Sequence, residues 1–377
     1  MRRLTALALL TSALLLAGLP SAQAQVITCG MDVSSNLTLS QDILCTGDGL
    51  HVTAEDITID LNGFSLVGSG IGVAIDANSF DVTVLNGSIV GFERGVSVSY
   101  PGSIVAKGLS ISETDIGIFA LAGGDITVLK SSLRHNRVGI AALQSPSYVS
   151  IERSILTDNF SGVLLVDQEG GSISHSTLGS NNIAVSGSQS NDITVSRCTL
   201  ADNGVGLSIF QGFNATFIHN RVVGGTVGVS IEDAGNDRAV IAGNTFTSTT
   251  VGVRLGGSNG FWVGDDTAIT KNRFVDNGAA GILIDLAIGS ADGVVIANNK
   301  VNSSGFLPNG TTDHLGATVD DGIHIVGNPA LLTDISLGSN HVMRNADFGI
   351  EADGVTDAGR NKGLKNGNPA QCLGVVC

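Results

Sequence analysis

Charged and aromatic side chains are both scarce in this chain: Asp, Glu, Lys and Arg make up 14% of it, and Phe, Trp and Tyr only 4%. Basic residues are the scarcer sign, 19 Lys and Arg against 34 Asp and Glu, and the net charge of −15 argues against nucleic acid as a general partner. After the N-terminus no segment approaches the ~20 uninterrupted apolar residues of a membrane-spanning helix, which argues against an integral membrane protein. Seven His and three Met, scattered without ligand spacing, argue against copper delivery. What the chain has in quantity is Gly, 51 residues, alongside Val, Ile, Leu and Ala. That balance favours many short strands joined by tight turns over long helices.

The stretch ITVSRCTLADNGVGLSI, Ile193 to Ile209, recurs in close variants along almost the whole chain. Each variant has alternating apolar residues, a small or Asn residue, a second apolar pair, and a Gly before a third run. Three short strands per unit follow. Arg153, His175, Arg197 and His219 mark the same point in four successive units, each 22 residues from the last. A fixed period of this length means a solenoid, here of about eleven coils.

The ends differ from the array. Residues 1–24 carry Arg2, Arg3, a short apolar run and the small-residue site Ala22-Gln23-Ala24, the pattern of a cleaved secretory signal. Residues 25–53 and 356–377 do not fit the repeat and read as N- and C-terminal caps around a solenoid at 54–355. Such caps protect the exposed strand edges of the outermost coils. Cysteines in an exported chain are expected as disulfides, Cys29 with Cys45 and Cys372 with Cys377, leaving Cys198 as a buried thiol in a stack. At the turn that Cys198 occupies, successive units carry Ser131, Ser154, Ser176, Cys198, Asn220, Asn244, Asn272, Asn299 and Asn340. The second half therefore holds an asparagine ladder, whose amides satisfy buried polar groups along the axis.

With coils, ladder and capped ends in view, the chain resembles the right-handed parallel β-helix repeat proteins of the pectin-lyase-like superfamily, over essentially its whole mature length. Its CGMDVSSNLTLSQDILCTGDGL block and NPAQCLGVVC tail are similar to the caps of exported bacterial members. The resemblance implies an all-β solenoid in a secreted, periplasmic or cell-surface protein, with a polysaccharide or envelope glycan as partner. A monomer is expected. In enzymes of that superfamily the outer face of the third strand, with the loop leading into it, holds the site.

Alternation along the third strands, GVSIED, GVRLGG, GILIDL, GIHIVG and GIEADG, points Val229, Ile231, Val253, Leu255, Ile282, Ile284, Ile323 and Ile325 inward. It points Glu232, Arg254, Asp285, His324, Glu351 and Asp353 outward. Two long excursions interrupt the period nearby, and long excursions from a regular scaffold commonly carry function. One, residues 256–266, holds Trp262, which either stacks on a sugar or covers the solenoid's side. The other, residues 303–321, ends in Asp320-Asp321 just before His324.

Glu232, Arg254 and Asp285 are expected as a contiguous row, with His324 added by the next coil. Glu232, Asp285 and Asp320 would hold a cation such as Ca²⁺ or orient substrate. Arg254 would neutralise charge or act as base, with His324 the alternative base beside Asp320 and Asp321. A uronan lyase uses a cation and a base in this way, whereas a glycoside hydrolase needs two or three carboxylates around the bond. The Asp pair resembles that of polygalacturonases, but their GHG and RIK signatures are absent, as is the DPH-type motif of alginate epimerases. The same acids also fit the solvated strand ends of an acidic protein. A line of basic residues before the turn, Lys107, Lys130, Arg153, His175, Arg197, His219 and Lys271, either tracks a polyanion through Lys130, Arg153 and Arg197 or pairs with acidic turn neighbours. The sequence thus predicts a carbohydrate-interacting protein, either a lyase or hydrolase of an acidic glycan or a non-catalytic glycan-binding or structural envelope protein. No outward face carries the regular Thr array of an ice binder.

Overall fold

A computed structural model describes residues 27–144, 147–232, 238–256, 265–287, 290–306, 310–328 and 332–377. The leader read at 1–24 and Trp262 lie outside these residues. Each coil contributes three strands, as in Ile193–Ser196, Thr199–Ala201 and Val205–Phe210. Each strand pairs in parallel with its equivalent one coil on, Thr194 with Thr216, Thr199 with Arg221 and Val205 with Val227. The third strands form one 15-stranded parallel sheet, and the first and second strands form the other two faces. The expected parallel β-helix is therefore the fold.

It has about fourteen turns, against the eleven expected. The difference lies at the ends: the N-terminal cap keeps the repeat's inward apolar positions, with Val33, Leu37 and Ile43 buried, and the C-terminal cap keeps its ladder asparagines, Asn361 and Asn366. Met31–Val33, Leu37–Thr38 and Ile43–Leu44 pair with the next coil. At the other end Thr356–Gly359, Lys362–Leu364 and Cys372–Leu373 pair back onto the coil before. Cys29 is bonded to Cys45 and Cys372 to Cys377. Cys198 is the free thiol among the described residues, buried and donating to the Ser196 carbonyl at 3.3 Å, and desolvation pushes its pKa up to about 11. Burial therefore keeps it a protonated thiol with little nucleophilic character.

The inward alternation holds: Val229, Ile231, Val253, Leu255, Ile282, Ile284, Ile323 and Ile325 are all in the core. So does the asparagine ladder, through Asn220, Asn244, Asn272, Asn299 and Asn340 to Asn361. Each Oδ1 accepts the backbone N–H of the coil before, as Asn272 does from Asn244 at 2.9 Å, and each Nδ2 donates to a carbonyl further back, Asn272 to Ile241 at 2.7 Å. A second ladder at the next turn was not read from the sequence. It runs Asn136, Asn159, Asn181, Asn203 and reappears at Asn277, Asn345 and Asn366. Both ladders are buried, so each amide replaces a hydrogen bond that water cannot supply.

Glycines at the second residue of the third strand line up as Gly206, Gly228 and Gly252. A Cβ on Gly228 would overlap the carbonyl oxygen of Gly252 and press on the ring of Phe246. That ring is itself stacked on Phe274 at 4.9 Å. Close coil approach, not turn geometry, requires glycine here. Gly228→Ala should destabilise the solenoid by about 1–3 kcal/mol through overpacking. Thermal melting monitored by circular dichroism checks this, and an unchanged transition would contradict it.

Candidate functional site

The outward face of the 15-stranded sheet is divided by register into two rows. Ser230 pairs with Arg254, Arg254 with Leu283, Leu283 with His324 and His324 with Glu351. Glu232 pairs with Phe210, and Asp285 pairs with Val326 in the parallel row. The single row of Glu232, Arg254 and Asp285 is therefore not formed, because Glu232 and Asp285 stand two residues further along their strands than the position Arg254 occupies. Glu232 accepts instead from the Ser230 hydroxyl at 2.9 Å. Asp285 pairs with His314 Nδ1 at 2.6 Å. The Nε of Arg254 is buried without a hydrogen-bond partner among the described residues.

Leu283, an apolar residue on the outward face, anchors the excursion at 303–321. It packs with Val251, Ala279, Ala280 and Val319 in a cluster outside the main core. Asp313 shapes the tip of the excursion, its Oδ1 accepting from Leu315 N and Ala317 N, each at 2.9 Å. Folded down in this way, the excursion buries His324, which points outward from its strand Ile323–Gly327 yet is only 2% exposed. The expectation that His324 faces solvent is corrected accordingly.

Three carboxylates surround the imidazole. Asp321 Oδ2 lies 2.8 Å and Glu351 Oε2 3.2 Å from Nδ1, and Asp313 Oδ2 lies 3.4 Å from Nε2. The other oxygen of Asp321 accepts from Phe348 N at 2.8 Å, which ties the cluster to the next coil. Burial alone would lower the pKa of His324, but the hydrogen bond and charge of Asp321, the charge of Glu351 and the bond to Asp313 outweigh it and raise the pKa. Glu351 is pushed up to about 7, first by desolvation and then by Asp321, with His324 opposing. Asp320 is also raised, by burial and by the charges of Asp321 and Asp347. A cleft of about 320 Å³ opens over the cluster, lined among others by Asp313, Leu315, His324, Glu351 and Asp353.

Of the expected site residues, the structure brings Asp320, Asp321 and His324 together and keeps Glu232, Arg254 and Asp285 out of their hydrogen-bond network. Donor atoms of Asp321, His324 and Glu351 lie within 4.8 Å of one another, as do those of Asp320, Asp321 and Asp347, so either set could bracket a cation. Glu232 and Asp285 are in neither. Asp313 and His314 were missed, since an excursion has no period to read. Glu351 was read only as outward-facing, although its place one coil beyond His324 was legible.

Lys130, Arg153, His175, Arg197 and His219 do form one line, each in a left-handed turn conformation and bonded through its N–H to the next coil. Lys107 is out of line, because Gly108 takes the equivalent turn position. Lys130 and Arg153 border a groove of about 580 Å³ floored by Gly87 and Gly108. Arg153 is ion-paired with Glu152 at 3.1 Å, and both side chains are exposed.

A family model described as periplasmic copper-binding protein (NosD) matches residues 49–262. No curated protein matches the chain. Among solved structures it is similar to the catalytic unit of an α-1,3-glucanase from Streptomyces thermodiastaticus, at 14% identity and TM-score 0.47 over 90% of this chain and 62% of that one. The chain therefore spans less than two thirds of that unit. The tailspike protein of E. coli bacteriophage HK620 gives 11% identity and TM-score 0.47 over 92% and 73% of the two chains. The family 28 exopolygalacturonase of Yersinia enterocolitica gives 11% identity and TM-score 0.41 over 86% and 72%.

Glu351 and His324 both bind protons more tightly in the folded chain than an unfolded one would. Their contribution to stability is thus present in mildly acidic solution and lost as pH rises through about 7, the folded value of Glu351. The melting temperature should fall between about pH 5 and pH 8, and Glu351→Gln should make that fall shallower. A pH series of melts on both proteins is the measurement, and identical slopes would refute the assignment.

Proposed function

Since the chain belongs to the NosD family of periplasmic proteins, we propose that it is a periplasmic glycan-processing protein that cleaves a glycosidic bond by acid–base chemistry in the cleft before His324. The observation that carries this reading is Glu351, a half-buried carboxyl at the cleft that stays protonated up to about pH 7. A carboxylic acid held protonated near neutrality is what protonation of a leaving-group oxygen requires. Asp353, two residues on and on the same outward side of the chain, supplies the second carboxylate that such a cleavage uses. His324 acts by positioning, since both its ring nitrogens are engaged in holding Asp321, Glu351 and Asp313 in place.

Hydrolysis is favoured over elimination by charge. Elimination from a uronate needs positive charge against the sugar carboxylate, and among the described residues no Lys or Arg lines the cleft to supply it from a side chain. Arg254 is separated from His324 along its row by Leu283.

Copper, which the family's description names, does not fit the His324 cluster. Both ring nitrogens of His324 are already engaged by carboxylates, and no Cys or Met stands beside them, whereas copper(I) selects sulfur and imidazole ligands. Within the matched span, His175 and His219 are two coils apart, about 9–10 Å at the usual strand spacing, with Arg197 between them.

Glu351→Gln should lower turnover by roughly 10²–10⁴ while the protein remains folded. Wild-type activity should decline as pH rises through about 7, where Glu351 loses its proton. Reducing-sugar release from a panel of polysaccharides is the assay. Full activity in Glu351→Gln, or products absorbing as unsaturated uronides, would defeat the proposal.

A further inference from the structure

Beyond Arg254 the distribution of positive charge changes. All seven Lys and Arg that follow, Lys271, Arg273, Lys300, Arg344, Arg360, Lys362 and Lys365, lie on the second strand of their coils or in the turn at either end of it. Register then sorts them. Arg273 pairs with Lys300, Lys300 with His341 and His341 with Lys362, one side chain in each of four consecutive coils. All four point outward, because the next residue in each of the first three strands, Phe274, Val301 and Val342, is in the core. A parallel row at the strand's far turn reads Asp276, Ser303, Arg344 and Lys365, each N–H up to Arg344 bonded one coil on. The two rows turn from mixed to wholly basic toward the C-terminal coils.

We propose that this strip is a docking site for a linear acidic polysaccharide of the uronate type. At a coil spacing of ~4.8 Å the four side chains span ~14 Å along the axis. A chain of linked uronates carries one carboxylate per sugar, turned to alternate sides along the chain, so an extended segment lying along the strip brings carboxylates within reach of both rows without bending. A groove of about 350 Å³ between the rows is lined by Arg273, Lys300, His341, Met343 and Arg344, and gives the sugar rings a partly apolar floor. Among the described residues none of Arg273, Lys300, Arg344 and Lys362 forms an ion pair, so their charge is not spent internally. The turn line at Lys130 and Arg153 differs on this point, since Arg153 is held by Glu152. A protein with net charge −15 repels a polyanion elsewhere, which confines the ligand to the strip. No Phe, Tyr or Trp stands in either row, so the stacking surface that single-stranded nucleic acid uses is missing.

The site lies on a different sheet from the His324 cleft and stands whether or not that cleft is catalytic. The test is calorimetric titration of the purified protein with soluble polygalacturonate at low and high salt. Binding is expected at low salt and should weaken as salt screens the strip. The triple variant Arg273→Gln/Lys300→Gln/Lys362→Gln should lose roughly ten-fold or more in affinity, whereas Lys130→Gln/Arg153→Gln should bind as the wild type does. Should the triple variant melt early, Lys300→Glu alone carries the same expectation. Undiminished binding by the folded strip variants, or equal loss in the turn-line control, would overturn the proposal. So would equal affinity for uncharged dextran, for anionic phospholipid vesicles or for single-stranded DNA.

Discussion

Every feature of this molecule depends on parallel pairing of one coil on the next at a constant spacing. Backbone hydrogen bonds set that spacing, but they cannot by themselves satisfy the turns, where the chain bends away from the sheets. The two buried ladders do so, each Asn bonding to the coil before it and, in most steps, to the amide after it. The glycine column answers the same constraint from the steric side, since any Cβ there would strike the next coil's carbonyl. Coil spacing is thus enforced by polar attraction at the turns and by the lack of a side chain at the start of the third strand.

Because the spacing is constant, the outer surface is a grid, and function can be read as which residues share a row. The sequence shows which residues point outward but not which outward residues are neighbours. Glu232 and Arg254 have the same parity, yet an offset of two residues along the strand places them in different rows. The excursions hide rows in the same way. Arg273, Lys300, His341 and Lys362 are separated by unequal stretches of chain because insertions fall between them, and only register shows that they are adjacent. What was legible was everything carried by the 22-residue period itself: the strand triplets, the inward residues, the first ladder and the position of His324 next to the Asp320-Asp321 pair.

The His324 cluster shows why a solenoid needs an excursion to build a site of this kind. A bare outward face is solvated, and a solvated carboxyl keeps an ordinary pKa. Here Val319 seats the excursion on Leu283, and Asp313 spends one carboxylate oxygen on shaping the excursion's tip and turns the other toward the imidazole. Desolvation is also the first cause of the raised pKa of Glu351, which stands beside the buried imidazole. Rigid strands hold the reacting groups, and the inserted loop sets their electrostatics.

The direction of the hydrogen bonds also decides how the protein responds to force. Nearly all of them, in sheets and ladders alike, run along the solenoid axis, so tension applied along that axis loads one coil boundary at a time and not the whole set in parallel. Such a body peels from an end, coil by coil, as nearest-neighbour arrays do. The two disulfides sit in the terminal coils, where peeling would begin. Joining residues 16 and 5 apart within a single coil, they hold the terminal coils closed but cross no coil boundary, so peeling is resisted there by hydrogen bonds and packing.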